Sequence, residues 1–238
     1  MHNYKWWSVF SSGLVLLTVL LSAQAIAVVN VDKTRIVFNA NEIAQSINLV
    51  NSEHGPVVLQ IWTDNGDIHA LPEQSKTPVL AIPPVLKIQP GELRSLKLML
   101  TSRAGLKAGK ETLYWLNLYQ IPALRKSDNA REQKVVLPLR LRLKVFVRPA
   151  GLGAPHSVDA KKLIFTRLNN ALLIRNPTPW HVSMNIKFSS QERVKDILIS
   201  PLSSLSIPVK SPLLTGKSID YDVIGDSGFS EKYQAVIQ

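Results

Sequence analysis

The most chemically informative side chains in this sequence are cations set two residues apart. Arg140, Arg142 and Lys144 alternate with an apolar series, Val135, Leu137, Leu139, Leu141, Leu143, Val145 and Val147, and Arg148 closes the run. In an extended chain successive side chains point to opposite faces, so Lys134–Arg148 predicts a strand with one oily and one basic face. A basic face suits an anionic partner, and a half-buried strand with a solvated outer side fits the same pattern. The segment is fifteen residues long, well beyond the usual five or six. Its leading residues, Val135 to Leu141, would project apolar side chains beyond a single small sandwich. Exposed edges of that kind invite pairing by another chain.

Catalytic chemistry finds little support. The histidines, His2, His54, His69, His156 and His181, are scattered and mostly in turn-like contexts. None shows metal-ligand spacing, and there is no nucleophile elbow, phosphate loop or zinc-protease motif. The chain has no Cys, which excludes disulfides, thiolate chemistry and Cys-ligated metal sites. Asp64 and Asp67 flank Gly66 in a turn, where Asp serves local hydrogen bonding. The expectation is a non-enzyme with no cofactor and no metal.

The elements that carry the basic strand are also strands. Residues 34–38, 43–50, 57–63, 93–101 and 112–120 read as strands, with Ile43, Ile47 and Leu49 on one parity of the second and Leu96, Leu98 and Leu100 on one face of the fourth. Turn signals such as Pro83-Pro84 and Gln89-Pro90-Gly91 recur every 8–15 residues, the spacing of an all-β sandwich. Two Pro and two Gly between Arg148 and Pro155 mark a linker or corner. Seven further short strands follow it, enough for a second, smaller sandwich. The organisation is residues 1–27, 28–150 and 151–238. The first segment has one basic residue, Lys5, an apolar stretch densest from Leu14 to Leu21, and small residues at Ala25-Ile26-Ala27. That is the pattern of a cleaved signal peptide, too interrupted to span a bilayer. An exported, soluble protein without a membrane span is expected. Of the net charge of +11, residues 28–150 carry 17 Lys+Arg against 10 Asp+Glu. Export, and the lack of a basic helix or stacked-aromatic motif, argue against nucleic acid.

Six segments, in order, resemble those of the periplasmic pilus (fimbrial) assembly chaperones. They are Asp32–Phe38, Pro83-Pro84 with Gln89-Pro90-Gly91, Lys110–Pro122, Lys144–Pro149, Arg175-Asn176-Pro177-Thr178-Pro179-Trp180 and Ile224-Gly225-Asp226-Ser227-Gly228. The resemblance implies two immunoglobulin-like β-sandwiches in a boomerang with a cleft between them. It implies that Arg35 and Lys144 bind the C-terminal carboxylate of a pilin subunit. It implies that Val135, Leu137, Leu139 and Leu141 enter that subunit's open groove as a donated strand, and that the capped subunit goes to an outer-membrane usher in the periplasm. Glu111, Arg148 and Asp226 match positions of an interdomain charge network. A self-capping dimer of the free chain is compatible with this reading. Lys107, Gly109 and Gly225 depart from the family's pattern, and the absence of a Cys pair points to the short-loop branch. Pro138 inside the donor strand removes one ladder bond, and Arg140 and Arg142 add positive potential with no further assigned role. The alternatives are a two-domain adhesion or carbohydrate-binding module, which lacks evident exposed aromatics, and a secreted hydrolase, which lacks a nucleophile and base.

Overall fold

The computed structural model describes residues 29–122, 138–189, 192–210 and 214–238. The leader expected over residues 1–27 and the donor-strand positions Val135 and Leu137 lie outside the described residues. Alternating side chains build nine strands in the first half: β1 (Val29–Val31), β2 (Arg35–Phe38), β3 (Ala44–Asn51), β4 (Val57–Asp64), β5 (Val79–Ile82), β6 (Val85–Ile88), β7 (Leu93–Leu100), β8 (Thr112–Pro122) and β9 (Leu139–Val147). They form two facing sheets, β1-β3-β7-β5 and β2-β9-β8-β4-β6. The inward parity of each strand fills one core, as Leu96 and Leu98 of β7 and Val145 and Val147 of β9 show, each fully buried. A buried side chain of this size contributes about 1.5–3 kcal/mol relative to exposure.

The second half repeats the architecture. A single-turn helix, α1 (Ser157–Ala160), precedes β10 (Ile164–Leu168), β11 (Ala171–Asn176), β12 (Val182–Lys187), β13 (Arg193–Ile199), β14 (Ser203–Pro208), β15 (Ser218–Ile224) and β16 (Ser230–Val236). Its sheets are β10-β11-β14 and β13-β12-β15-β16, closed over Phe165, Leu172, Ile174 and Met184. The Tyr221 hydroxyl donates to the Ala160 carbonyl at 3.0 Å, tying α1 to this sandwich. The fold is thus all-β, with two sandwiches in series. Among the described residues no helix is long and apolar enough to cross a membrane.

Several details differ from expectation. Ile43 lies before β3 with its side chain exposed, and its carbonyl accepts the Leu100 N–H at 2.8 Å. β5 and β6 flank Pro83-Pro84, a pair that reads as punctuation and masks both strands. There the chain passes from the β7 side of the sandwich to the β4 side. Pro138 stands outside β9, whose ladder with β8 starts at Leu139 opposite Gln120. No ladder bond is therefore lost to it in the described strand. Arg148 also lies just beyond β9.

Candidate anion-anchoring edge and interdomain site

β9 has two unequal neighbours. β8 pairs with it in antiparallel register from Leu139 to Val147. β2 pairs with it in parallel only from Lys144, opposite Arg35, to Val147, opposite Phe38. Among the described residues, 139–143 therefore have no strand on their outer side. Leu143 is buried and Leu141 packs against the domain's own core, whereas Leu139 is 46% exposed. The apolar parity thus leaves cover as it runs toward the N-terminal end of β9, and it does so along an unpaired edge.

The parallel register sets Arg35 beside Lys144 where that edge ends. Arg35 is only 7% exposed, since the second domain covers it. One guanidinium nitrogen donates to the Ile224 carbonyl at 2.8 Å, and Nε is buried with no partner. Burial pulls its pKa below the ordinary arginine value, against the opposing charges of Asp226 and Glu111. Lys144 Nζ lies 5.7 Å from the Trp115 ring centroid and forms no ion pair among the described residues. Burial, and then the charge of Arg35, lower its pKa, with Asp196 acting the other way. Two desolvated cations with spare donors are costly while empty, and one carboxylate relieves both through charge-assisted hydrogen bonds.

Arg148, Glu111 and Asp226 meet at the domain junction. Arg148 is 1% exposed and donates from Nε to Glu111 Oε2 at 3.0 Å, from Nη2 to Asp226 Oδ1 at 2.8 Å and from Nη1 to Asn39 Oδ1 at 2.9 Å. Burial opposes its charge, but these hydrogen bonds and the two carboxylates outweigh it and raise its pKa. Glu111 also accepts the backbone N–H of His181 at 3.0 Å, and its own N–H reaches the Pro179 carbonyl at 2.9 Å. His181 and Pro179, like Asp226, belong to the second half of the chain. Beside this network Arg35, Phe146, His181 and Asp226 line a cavity of about 290 Å³. Among the described residues no cluster of metal-ligating side chains occurs.

The basic face of β9 is not the solvated side that its pattern allows. Arg142 donates to both carboxylate oxygens of Asp64, at 2.7 and 2.9 Å, and Arg140 lies 3.6 Å from the same group. Both also donate from Nε to Asn117 Oδ1, at 2.9 Å from Arg140 and 3.1 Å from Arg142. Their guanidinium planes lie over Trp62 and Trp115, at 4.7 and 4.8 Å from the ring centroids. Asp64 does accept its local turn bond, from Gly66 N–H at 2.7 Å, but it is also a buried counter-ion. The pairing was hidden because Asp64, Asn117 and Arg142 sit on three strands. Only their register, Asp64 opposite Trp115 and Asn117 opposite Arg142, brings them to one face.

Comparison with known proteins accounts for the whole architecture. Residues 28–153 match the family model described as pili and flagellar-assembly chaperone, PapD N-terminal domain, and residues 159–235 match the pili assembly chaperone PapD, C-terminal domain. The chaperone protein MrkB of Klebsiella pneumoniae is 32% identical over 202 residues, covering 83% of this chain and 86% of that protein. The crystal structure of the Pseudomonas aeruginosa CupB2 chaperone superposes with a TM-score of 0.71 at 27% identity, over 88% of this chain and all of that one. The Salmonella enterica SafA pilin in complex with the SafB chaperone shares the fold, with a TM-score of 0.75 at 19% identity over 90% of this chain and 98% of that one.

Proposed function

The chain belongs to the pili assembly chaperone family, and on that premise we propose that it is a non-enzymatic periplasmic chaperone that lends β9 to pilin subunits. The observation that carries this reading is the edge of β9, which among the described residues is unpaired over 139–143 and stops at Arg35 and Lys144. A subunit strand added there gains main-chain hydrogen bonds along the edge. Its terminal carboxylate is held by the two cations, which fixes where the strand ends. Leu139 enters the subunit's open core, and Val135 and Leu137 continue the same parity ahead of it. A slip by one residue would turn this set to the wrong face. The borrowed strand covers subunit surface that would otherwise drive premature assembly, until an outer-membrane usher accepts the subunit.

Glu111, Arg148 and Asp226 have a separate role in this reading: they hold the two domains at the angle that places Ile224 over Arg35. The decisive test is Lys144→Glu, which reverses charge at the anchor on a partly buried side chain at the strand edge. Co-expressed with the pilin subunits encoded nearby, the variant should recover no subunit while keeping the circular dichroism of the parent. Normal subunit yield from the folded variant would remove the anchor from the mechanism.

A further inference from the structure

Period two creates an ambiguity in β9. The inward apolar set, Leu139, Leu141, Leu143, Val145 and Val147, repeats every second residue, and so does the outward set Arg140, Arg142 and Lys144. A slip of one residue is excluded because it inverts the faces. A slip of two keeps every apolar side chain inward and places a different cation at the end of the visiting strand. Arg142 would be a better carboxylate partner than a lysine in isolation, since its planar fork matches the two oxygens. Neither the hydrophobic pattern nor the spacing of charges selects Lys144.

Asp64 resolves the ambiguity. It is almost wholly buried, and it accepts from Arg142 at 2.7 and 2.9 Å and from Asn117 Nδ2 at 2.7 Å, with Arg140 at 3.6 Å. Asn117 Oδ1 takes the Nε–H of both arginines. The charges of Arg140 and Arg142 thus face a fixed buried counter-ion. Lys144 has no buried counter-ion among the described residues, because Trp115 on β8 stands in register between it and Asp64 on β4, and Asp196, whose charge it feels, is exposed. We propose that Asp64 is the register-specificity residue of strand donation: by engaging Arg140 and Arg142 it leaves Lys144, beside Arg35, as the position in this ladder where a terminal carboxylate meets a cation with no ion-pair partner among the described residues. The inference rests on the strand-donation reading above.

Asp64→Asn tests it, because the amide keeps the shape and the turn acceptor but removes the counter-ion. The first measurement needs no subunit. Acetate is titrated into isotope-labelled full-length mature chain, and the arginine Nε–H and lysine side-chain resonances are followed. In the parent, Arg35 and Lys144 should respond and Arg142 should not; in Asp64→Asn, Arg142 should respond as well. The second is amide exchange of the complex with the pilin subunit that co-purifies with the parent. At the edge-facing amides the parent complex should be protected through residue 142, whereas the variant complex should lose protection at 142 as the subunit strand slips by two; the amide of residue 143, on the β8 side, should not change. Adding Arg142→Gln to Asp64→Asn removes both buried charges together, which guards against misfolding of the single variant, and should restore the parental boundary. An unchanged boundary with Arg142 silent to acetate in Asp64→Asn overturns the proposal. Silence of Arg35 and Lys144 in the parent overturns the anchor itself, a separate result.

Discussion

Replacing Arg148 by Met should destabilise the first domain severely, and the size of the loss follows from the exposure of its partners. The Glu111 side chain is 2% exposed, so without Arg148 Nε its charge stays buried with only the His181 N–H and ring as partners. Breaking a buried pair from one side costs about 3–5 kcal/mol. The Asp226 side chain is 39% exposed, so its 2.8 Å contact adds at most about 1 kcal/mol after solvent screening. The expected total is therefore about 4 kcal/mol, a fall of about 10 °C or more in the first domain's transition. Calorimetry measures the loss, and fluorescence assigns it, because Trp62 and Trp115 report on the first domain and Trp180 on the second. Arg148→Met combined with Glu111→Leu removes both buried charges and should recover most of the loss. A single variant that loses less than about 1 kcal/mol, or a double variant no more stable than the single, refutes the idea that a desolvated charge pair governs this junction.

Two further outcomes are expected. Burial and then Arg35 hold the Lys144 pKa below the ordinary lysine value, so carboxylate affinity, which needs the ammonium, should be full at neutral pH and begin to fall as pH rises through that depressed value. The contribution of Lys144 to the free protein's stability has the opposite sign and rises over the same interval, because the unfolded chain holds the proton longer. Complex dissociation against pH, with Lys144→Arg as the comparison, checks this; the arginine variant should stay bound through the lysine range, and identical profiles would contradict it. Gly228 has φ +86°, and a Cβ there would overlap the Thr34 hydroxyl across the domain junction. Gly228→Ala should therefore cost about 1–3 kcal/mol by chemical denaturation, and Thr34→Ala in the same chain should recover the overlap but not the left-handed strain. No recovery would show that the contact is not the cause.

Much of the frame is legible in the residues themselves. The alternation of Leu96, Leu98 and Leu100, and of Leu143, Val145 and Val147, reports one buried face directly, because a strand's period is two and its core is one-sided. What escapes such reading depends on register between distant strands. Asp64 looks like a turn residue until β4, β8 and β9 align it with Asn117 and Arg142. Arg35 looks like a surface arginine at a strand start. It is buried because a carbonyl 189 residues later reaches over it, a contact that no local pattern encodes. β5 and β6 are too short, and too close to two prolines, for alternation to show. α1 is a single turn, shorter than any apolar stripe.

The brevity of β2 has a consequence for what the chain can admit. Because β2 already occupies the far side of residues 144–147, a visiting backbone travelling along β9 toward the second domain reaches a blind end. Length limits the guest as firmly as charge does: a peptide too long at its carboxyl end collides with β2 instead of sliding past.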